Sequence, residues 1–203
     1  MIFRQLFDSV SGTYSYLLAS RAGGEALIID PVLEKVDRYL QLIAELDLRL
    51  VKAVDTHLHA DHLSGARLLA RRTGATVYLN PADTFDFAFE PLGDGDVFTL
   101  PDGTAFGVAV LHTPGHTEGS TIFRVGDAAL LTGNTLFVDG VGRPDLAEGA
   151  EEVARSPHRS PTERVLTVGD EVLVLPSHYG DGEVRPDEPV GATVGELVAR
   201  LEP

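Results

Sequence analysis

The chain has no cysteine. Disulfides, iron–sulfur clusters, zinc–thiolate sites and thiol nucleophiles are therefore all excluded. A chain of 203 residues needs no such staples, because it can bury roughly 70% of its extended surface. Its length suits one domain spanning residues 1–203. Positive charge is scarce, with 16 basic against 31 acidic residues and a formal net charge of −15. Such a field repels phosphate backbones and anionic lipid, so neither nucleic acid nor membrane is expected as a partner. An anionic substrate would bind only where local Arg or Lys overrides that field. Long apolar runs are also missing; stretches such as Ala128–Leu131 are far too short to span a bilayer. No basic stretch followed by an apolar core opens the sequence, which makes the cytoplasm the expected location.

What is present is 43% hydrophobic and 23% charged residues, an ordinary globular composition. Ile2–Phe7, Thr13–Ala19 and Ala26–Ile29 read as strands, and Pro31 closes the last of them after Asp30. From Glu34 the period changes, and Val36, Leu40, Ile43 and Leu46 fall on one helical face. Leu50–Val54 is again a strand, ending at Asp55-Thr56. Leu63–Arg72 predicts a helix that stops at Gly74. Further strands are expected at Thr76–Leu79, Val97–Leu100, Ala105–Leu111, Thr121–Val125, Ala128–Leu131 and Val172–Leu175. Residues 81–95, 134–149 and 181–189 read as loops, 151–168 as partly helical and 194–201 as a terminal helix. Phe85, Phe87 and Phe89 alternate within the first loop, a pattern suited to core packing, a dimer contact or a pocket wall. The order of elements is α/β, with mixed sheets packed under outer helices.

Chemistry concentrates in His57-Leu58-His59-Ala60-Asp61-His62, which places four potential ligands in six residues directly after a strand. Imidazole and carboxylate suit zinc, iron or manganese. The alternation of His57 and His59 points two imidazoles to one side of an extended segment. Asp61 and His62 then begin the next helix, where Asp61 can cap the N-terminus. A second group is His112-Thr113-Pro114-Gly115-His116-Thr117, with His116 after a tight Pro-Gly turn. His116 is the candidate third ligand and His112 a supporting residue. Leu131-Thr132-Gly133-Asn134-Thr135 and Leu175-Pro176-Ser177-His178-Tyr179 each put a polar residue just beyond an apolar strand. His158 reads as a surface residue.

The segments THLHADH, TPGHTEGS, LLTGNTLF, GRPDL and LPSHY follow the order used by the metallo-β-lactamase superfamily, which the chain resembles from about residue 10 to 180. The resemblance implies an αβ/βα sandwich of two mixed sheets flanked by helices, with metal at the sheet edge. Two subgroups compete. Persulfide dioxygenases oxidise glutathione persulfide to sulfite with O2 at one non-haem iron, Fe(II). Glyoxalase II, a hydroxyacylglutathione hydrolase, cleaves an acylglutathione thioester with two metals, zinc or manganese among the alternatives. HADHLSG and GVGRPDL look more like the dioxygenases. The chain also ends 25 residues beyond His178, too few for the helical domain that glyoxalase II carries there.

Carried over by motif, the resemblance implies His57 and His116 as iron ligands, with Asn134 in the third position. His59, Asp61, His62 and His178 orient waters and ligands or, in the hydrolase, complete a second metal site. Asp61, His62 and Tyr179 are the candidate catalytic groups. Arg143 is the candidate partner of a substrate carboxylate, with Tyr179 lining the same pocket. The departure is Asn134, where the superfamily normally has Asp. The amide is isosteric but neutral, and it bridges two dications poorly. His59 could then join His57 and His116 in a three-histidine site, or Asp61 could supply the missing charge, or the chain could be a metal-binding member with little turnover. A homodimer is the commonest assembly for a chain of this kind.

Overall fold

The computed structural model describes residues 1–99, 107–138, 165, 167–179 and 189–201. Among these residues, two six-stranded sheets carry the fold. The first contains β1 (Ile2–Asp8), β2 (Thr13–Ala19), β3 (Glu25–Ile29), β4 (Arg49–Val54), β5 (Thr76–Leu79) and β6 (Glu90–Pro91), in that spatial order. The second contains β7 (Val97–Thr99), β8 (Gly107–His112), β9 (Thr121–Val125), β10 (Ala129–Gly133), β11 (Leu173–Pro176) and β12 (Ala192–Thr193), ordered β12-β11-β10-β9-β8-β7. Helices α1 (Val36–Glu45) and α2 (Ala66–Thr73) connect the parallel strands β3, β4 and β5 of the first sheet. Such parallel pairs need a crossover, and a helix is the usual one. Helix α3 (Val194–Leu201) follows β12.

Alternation of side chains along the strands builds two cores. Tyr14, Tyr16 and Leu18 of β2, with Leu27 and Ile29 of β3, belong to the core shared with Val110, Phe123 and Leu130 of the second sheet. Leu17, Ala19, Ala26 and Ile28 face the other way and pack with Val36, Tyr39 and Ile43 of α1 and Leu69 of α2. Adjacent residues point to opposite faces of a strand, so both faces of β2 and β3 must be apolar if both are covered. In β4, Leu50 and Ala53 share the helix-side core. The register shift between the Ala26 and Leu27 pairings with β4 changes the alternation there.

Several expectations shift. Helix α1 buries Val36, Tyr39 and Ile43, while Leu40 and Leu46 are only partly buried against the same core. Helix α2 begins at Ala66 rather than Leu63. Asp61 and His62 therefore do not start it, and Ser64 Oγ, not Asp61, accepts the Ala66 N–H at 3.2 Å. The 81–95 loop contains the short strand β6, parallel to β5. Phe85, Phe87 and Phe89 pack on one another with ring centroids 5.3–6.3 Å apart and lie partly buried against the helix-side core, while Phe85 and Phe87 also line a cavity, so the core-packing and pocket-wall alternatives both apply. The expected strand starts at 105–106 and the end at Leu100 lie outside the described residues, as do the loop at 139–149, nearly all of 151–168, and 181–188. No helix among the described residues is long and apolar enough to cross a membrane.

Candidate metal centre

One end of the sandwich gathers the chemistry. The carboxyl ends of β4, β8, β10 and β11 deliver His57, the 113–120 loop, Asn134 and His178, and β2 begins there at Thr13. In open α/β sheets, carboxyl ends are where ligands bind. Two backbone hydrogen bonds join the sheets at this end: Tyr14 N–H donates to Ser177 O and Thr121 N–H to Thr56 O, both at 2.8 Å. Gly133, at φ +56°, makes the junction possible. A Cβ there would lie 2.7 Å from Thr56 Oγ1, so only glycine lets β10 end against the histidine segment.

The rings of His57, His59 and His116 converge, with centroids 4.1 Å apart for His57–His59 and 4.9 Å for His57–His116. A second group adjoins them. His62 lies 4.2 Å from His59 and His178 lies 6.5 Å from it, centroid to centroid. Asp61 Oδ2 meets His178 Nε2 at 2.8 Å and His62 Nδ1 at 3.1 Å. Thr13 Oγ1 reaches Asp61, His62 and His178 at 3.1–3.2 Å. Asn134 spans the two groups: its Nδ2 is 3.2 Å from His116 Nε2 and its Oδ1 is 2.7 Å from His178 Nδ1.

A buried carboxylate that the sequence did not single out orders the first group. Asp30 is fully buried at φ +51°, a conformation that Asp tolerates better than most residues. Its Oδ1 accepts the Thr56 N–H at 2.6 Å and faces His59 Nε2 at 3.2 Å. Its Oδ2 accepts the Thr56 hydroxyl at 2.9 Å and the Ser177 hydroxyl. The Thr56 proton is thus committed, so Thr56 Oγ1 accepts from His57 Nδ1–H, 2.8 Å away, and leaves His57 Nε2 bare. Likewise Asp30 takes the Nε2–H of His59 and leaves Nδ1 bare. Carboxylate-held imidazoles of this kind are oriented and made more basic.

Electrostatics set the two histidines apart. Burial, then His59, holds His57 well below its ordinary pKa, keeping it neutral and able to donate a lone pair. Burial also opposes the charge on His59, but Asp30 outweighs it and raises the group. Burial pushes Asp30 up, and the charge and hydrogen bond of His59 hold it well below the carboxylate range. Asp61 is lowered too, since its bonds from His178 and His62 outweigh burial. Asp55, fully buried beside Asp30, is pushed up to about 6 by burial.

Do these residues fit a metal ion? His59 Nδ1 and His62 Nε2 are buried and have no hydrogen-bond partner, as is Asp55 Oδ1. An unpaired buried polar atom is costly, and a metal ion satisfies a bare imidazole nitrogen. His59, Asp61 and His62 offer ligand atoms within 4.8 Å of one another. The donor set fits an ion that prefers nitrogen and oxygen. Beside the same histidines lies a cavity of about 370 Å³, lined among others by Leu58, Leu63, Arg67, Arg71 and Phe87. Arg67 stacks on Phe87 with 4.2 Å from guanidinium carbon to ring centroid.

The structure thus brings together His57, His59, Asp61, His62, His116, Asn134 and His178. Tyr179 directly follows His178 and is partly buried against the core between the sheets. His112 sits apart as a support, its Nε2 lying 2.8 Å from Glu118 O within the loop of His116. Arg143 and His158 fall outside the described residues. Thr13, Asp30, Asp55 and Ser177 join the site without having been singled out. No local signal marked them: Asp30 and Asp55 simply follow β3 and β4, as polar residues after strands commonly do.

This fold and site define a two-sheet α/β sandwich with a candidate metal centre at one end, and comparison with known proteins shows its family. A profile of the metallo-β-lactamase superfamily matches residues 8–178, and the chain belongs to that superfamily. It is 37% identical over 190 residues to the mitochondrial persulfide dioxygenase ETHE1 of Homo sapiens, covering 88% of this chain and 68% of that protein. It is 35% identical over 135 residues to the hydroxyacylglutathione hydrolase of Methylobacillus flagellatus, covering 66% of this chain and 52% of that one. The crystal structure of ETHE1 from Myxococcus xanthus superposes with a TM-score of 0.81 at 39% identity, covering 97% of this chain and 81% of that chain. Both named relatives are enzymes, and so is this chain.

Proposed function

We propose that the chain is a persulfide dioxygenase-like enzyme that holds one iron ion and oxidises glutathione persulfide to sulfite with O2. One observation carries the single-ion reading. A neutral amide, Asn134, stands between the His57/His59/His116 group and the Asp61/His62/His178 group. A carboxylate there would offset the charge of two ions; an amide does not. His57, His59 and His116, whose rings converge, would hold the ion, and the buried His59 Nδ1 has no hydrogen-bond partner. Iron(II) so held supplies open coordination positions and the redox chemistry that O2 requires.

The remaining residues act around it. Asp30, directly and through Thr56, fixes the tilt of His59 and His57. Asp61, His62 and His178, gathered on Thr13, form a proton-holding cluster at the edge of the centre. Leu58 and Leu63 are exposed apolar groups that keep water from the reacting sulfur. Arg67 and Arg71, one turn apart on α2, add positive charge at the cavity in a chain that is otherwise strongly acidic. That charge suits the carboxylates of a glutathione-linked substrate.

The test begins with anaerobic purification and metal analysis, followed by oxygen uptake with glutathione persulfide and measurement of sulfite. One equivalent of iron with substrate-dependent uptake is the expected result. Two equivalents of zinc or manganese, no uptake and cleavage of an acylglutathione would sink this reading. They would favour instead a thioester hydrolase, for which the donor group His59, Asp61 and His62 is the specific support.

A further inference from the structure

The two loops that carry His57, His59 and His116 come from different sheets. Between them lies Asp83, in the connection after β5, which belongs to none of the motifs. Its Oδ2 accepts the Leu58 N–H at 3.0 Å and the Thr117 hydroxyl at 3.2 Å. Its Oδ1 accepts the Gly119 N–H at 2.9 Å. Leu58 is the residue between His57 and His59, and Thr117 follows His116. One carboxylate therefore grips both ligand segments at the residue next to a histidine.

The approach is close. A Cβ at position 119 would fall 2.5 Å from the Asp83 carboxyl carbon, so glycine is needed where the loop meets the clamp. The 113–120 loop is otherwise closed on itself: Thr113 N–H donates to Ser120 O at 2.8 Å, Gly115 N–H to Thr117 O at 3.0 Å and Thr117 N–H to Ser120 Oγ at 2.9 Å. Its base is tied to the histidine segment by Thr121 N–H donating to Thr56 O at 2.8 Å. A loop rigid in itself and anchored at its base can still pivot about that base. Asp83 supplies the second anchor, at the far end. Asp83 is fixed in turn through Asn80, whose carbonyl accepts the Asp83 N–H at 3.3 Å and whose amide donates to Thr121 Oγ1 at 3.2 Å.

We propose that Asp83 is a positioning residue that sets the distance of His116 from His57 and His59, and thereby the affinity and geometry of the metal centre. The proposal rests on the site being a metal centre but not on the reaction it catalyses. Three donors converge on the carboxylate, and an Asn side chain offers only one accepting atom. Loss of such outer support typically weakens metal binding by about 10–100-fold.

Cobalt(II) binding to the apoprotein, followed by chelator competition and by the visible ligand-field spectrum, tests this independently of turnover. Asp83→Asn is expected to raise the cobalt Kd by about 10–100-fold and to shift the ligand-field bands. Gly119→Ala, which keeps the carboxylate but pushes the loop away, is expected to do the same. Glu118→Gln removes a charge from the same loop at an exposed position and is expected to leave Kd and spectrum unchanged. If Asp83→Asn does not fold, Thr117→Val removes one of the three contacts and is expected to raise Kd by a smaller factor with the same direction of spectral shift. Wild-type affinity and spectrum in the folded Asp83 or Gly119 variant would overturn the clamp. A wild-type chain that binds no cobalt would overturn the metal centre and the clamp together.

Discussion

Asn134 is the residue on which the number of metal ions turns. Its amide touches His116 on one side and His178 on the other, so a carboxylate of the same shape would fit without moving either ring. Asn134→Asp would add a full negative charge where two cations could share it. The expected outcome is a second equivalent of metal, or a first equivalent held about 10-fold tighter, read by elemental analysis and chelator competition. Unchanged stoichiometry and affinity would mean that the amide is not what limits the site. The departure at 134 was visible in the sequence, because it breaks an otherwise regular motif. Asp30 was not legible in the same way. Nothing about its neighbours marks it; its importance comes from Thr56, His59 and Ser177 arriving from distant parts of the chain.

Among the elements, the β1–β2 turn shows how support is passed to the site. Asp8 is buried, accepts the Ser11 N–H at 3.0 Å and hydroxyl at 2.7 Å, and pairs with Lys35 Nζ at 3.1 Å. Ser11 Oγ in turn lies 2.8 Å from Thr13 Oγ1, which touches Asp61, His62 and His178. Burial raises the Asp8 carboxyl, but Ser11 and Lys35 outweigh it and lower it to about 2. A lowered carboxylate pKa stabilises the fold above the unfolded value of about 4, and that stability disappears as pH falls toward about 2. Asp8→Asn should therefore cost about 2 kcal/mol at neutral pH. The gap between variant and wild type should close between about pH 4 and pH 2, as followed by urea unfolding. A gap that persists unchanged at pH 2 would locate the effect in packing rather than charge. The strands and helices themselves were largely readable, since period-2 and period-3.6 patterns are local. The start of α2 was misplaced because Asp61 and His62 are held by the site instead of by the helix. The two-residue strand β6 is set by pairing with β5, which no local pattern reveals.

For the molecule as a whole, the metal centre is a joint between two sheets. His57 and His59 follow β4 of the first sheet, whereas His116, Asn134 and His178 follow β8, β10 and β11 of the second. The apolar core between the sheets fixes their overall packing. At the site end, however, the direct backbone ties described above are few and polar side chains fill the gap. An ion bound by ligands from both sheets would stabilise the native state by mass action, about 4 kcal/mol at a free concentration 1,000-fold above Kd. For a chain of this size that corresponds to roughly 8–16 °C in Tm. Chelation of the loaded protein is expected to lower Tm by an amount in that range. It should also speed hydrogen exchange in residues 113–120 and 177–179, while β2, β3 and α1, packed in the helix-side core, keep their protection. Local opening of this kind separates a joint from a general loss of stability, because opening free energies differ between the units of one fold. Exchange that accelerates equally in α1 and in the 113–120 loop would show that the ion stabilises the chain without joining its sheets.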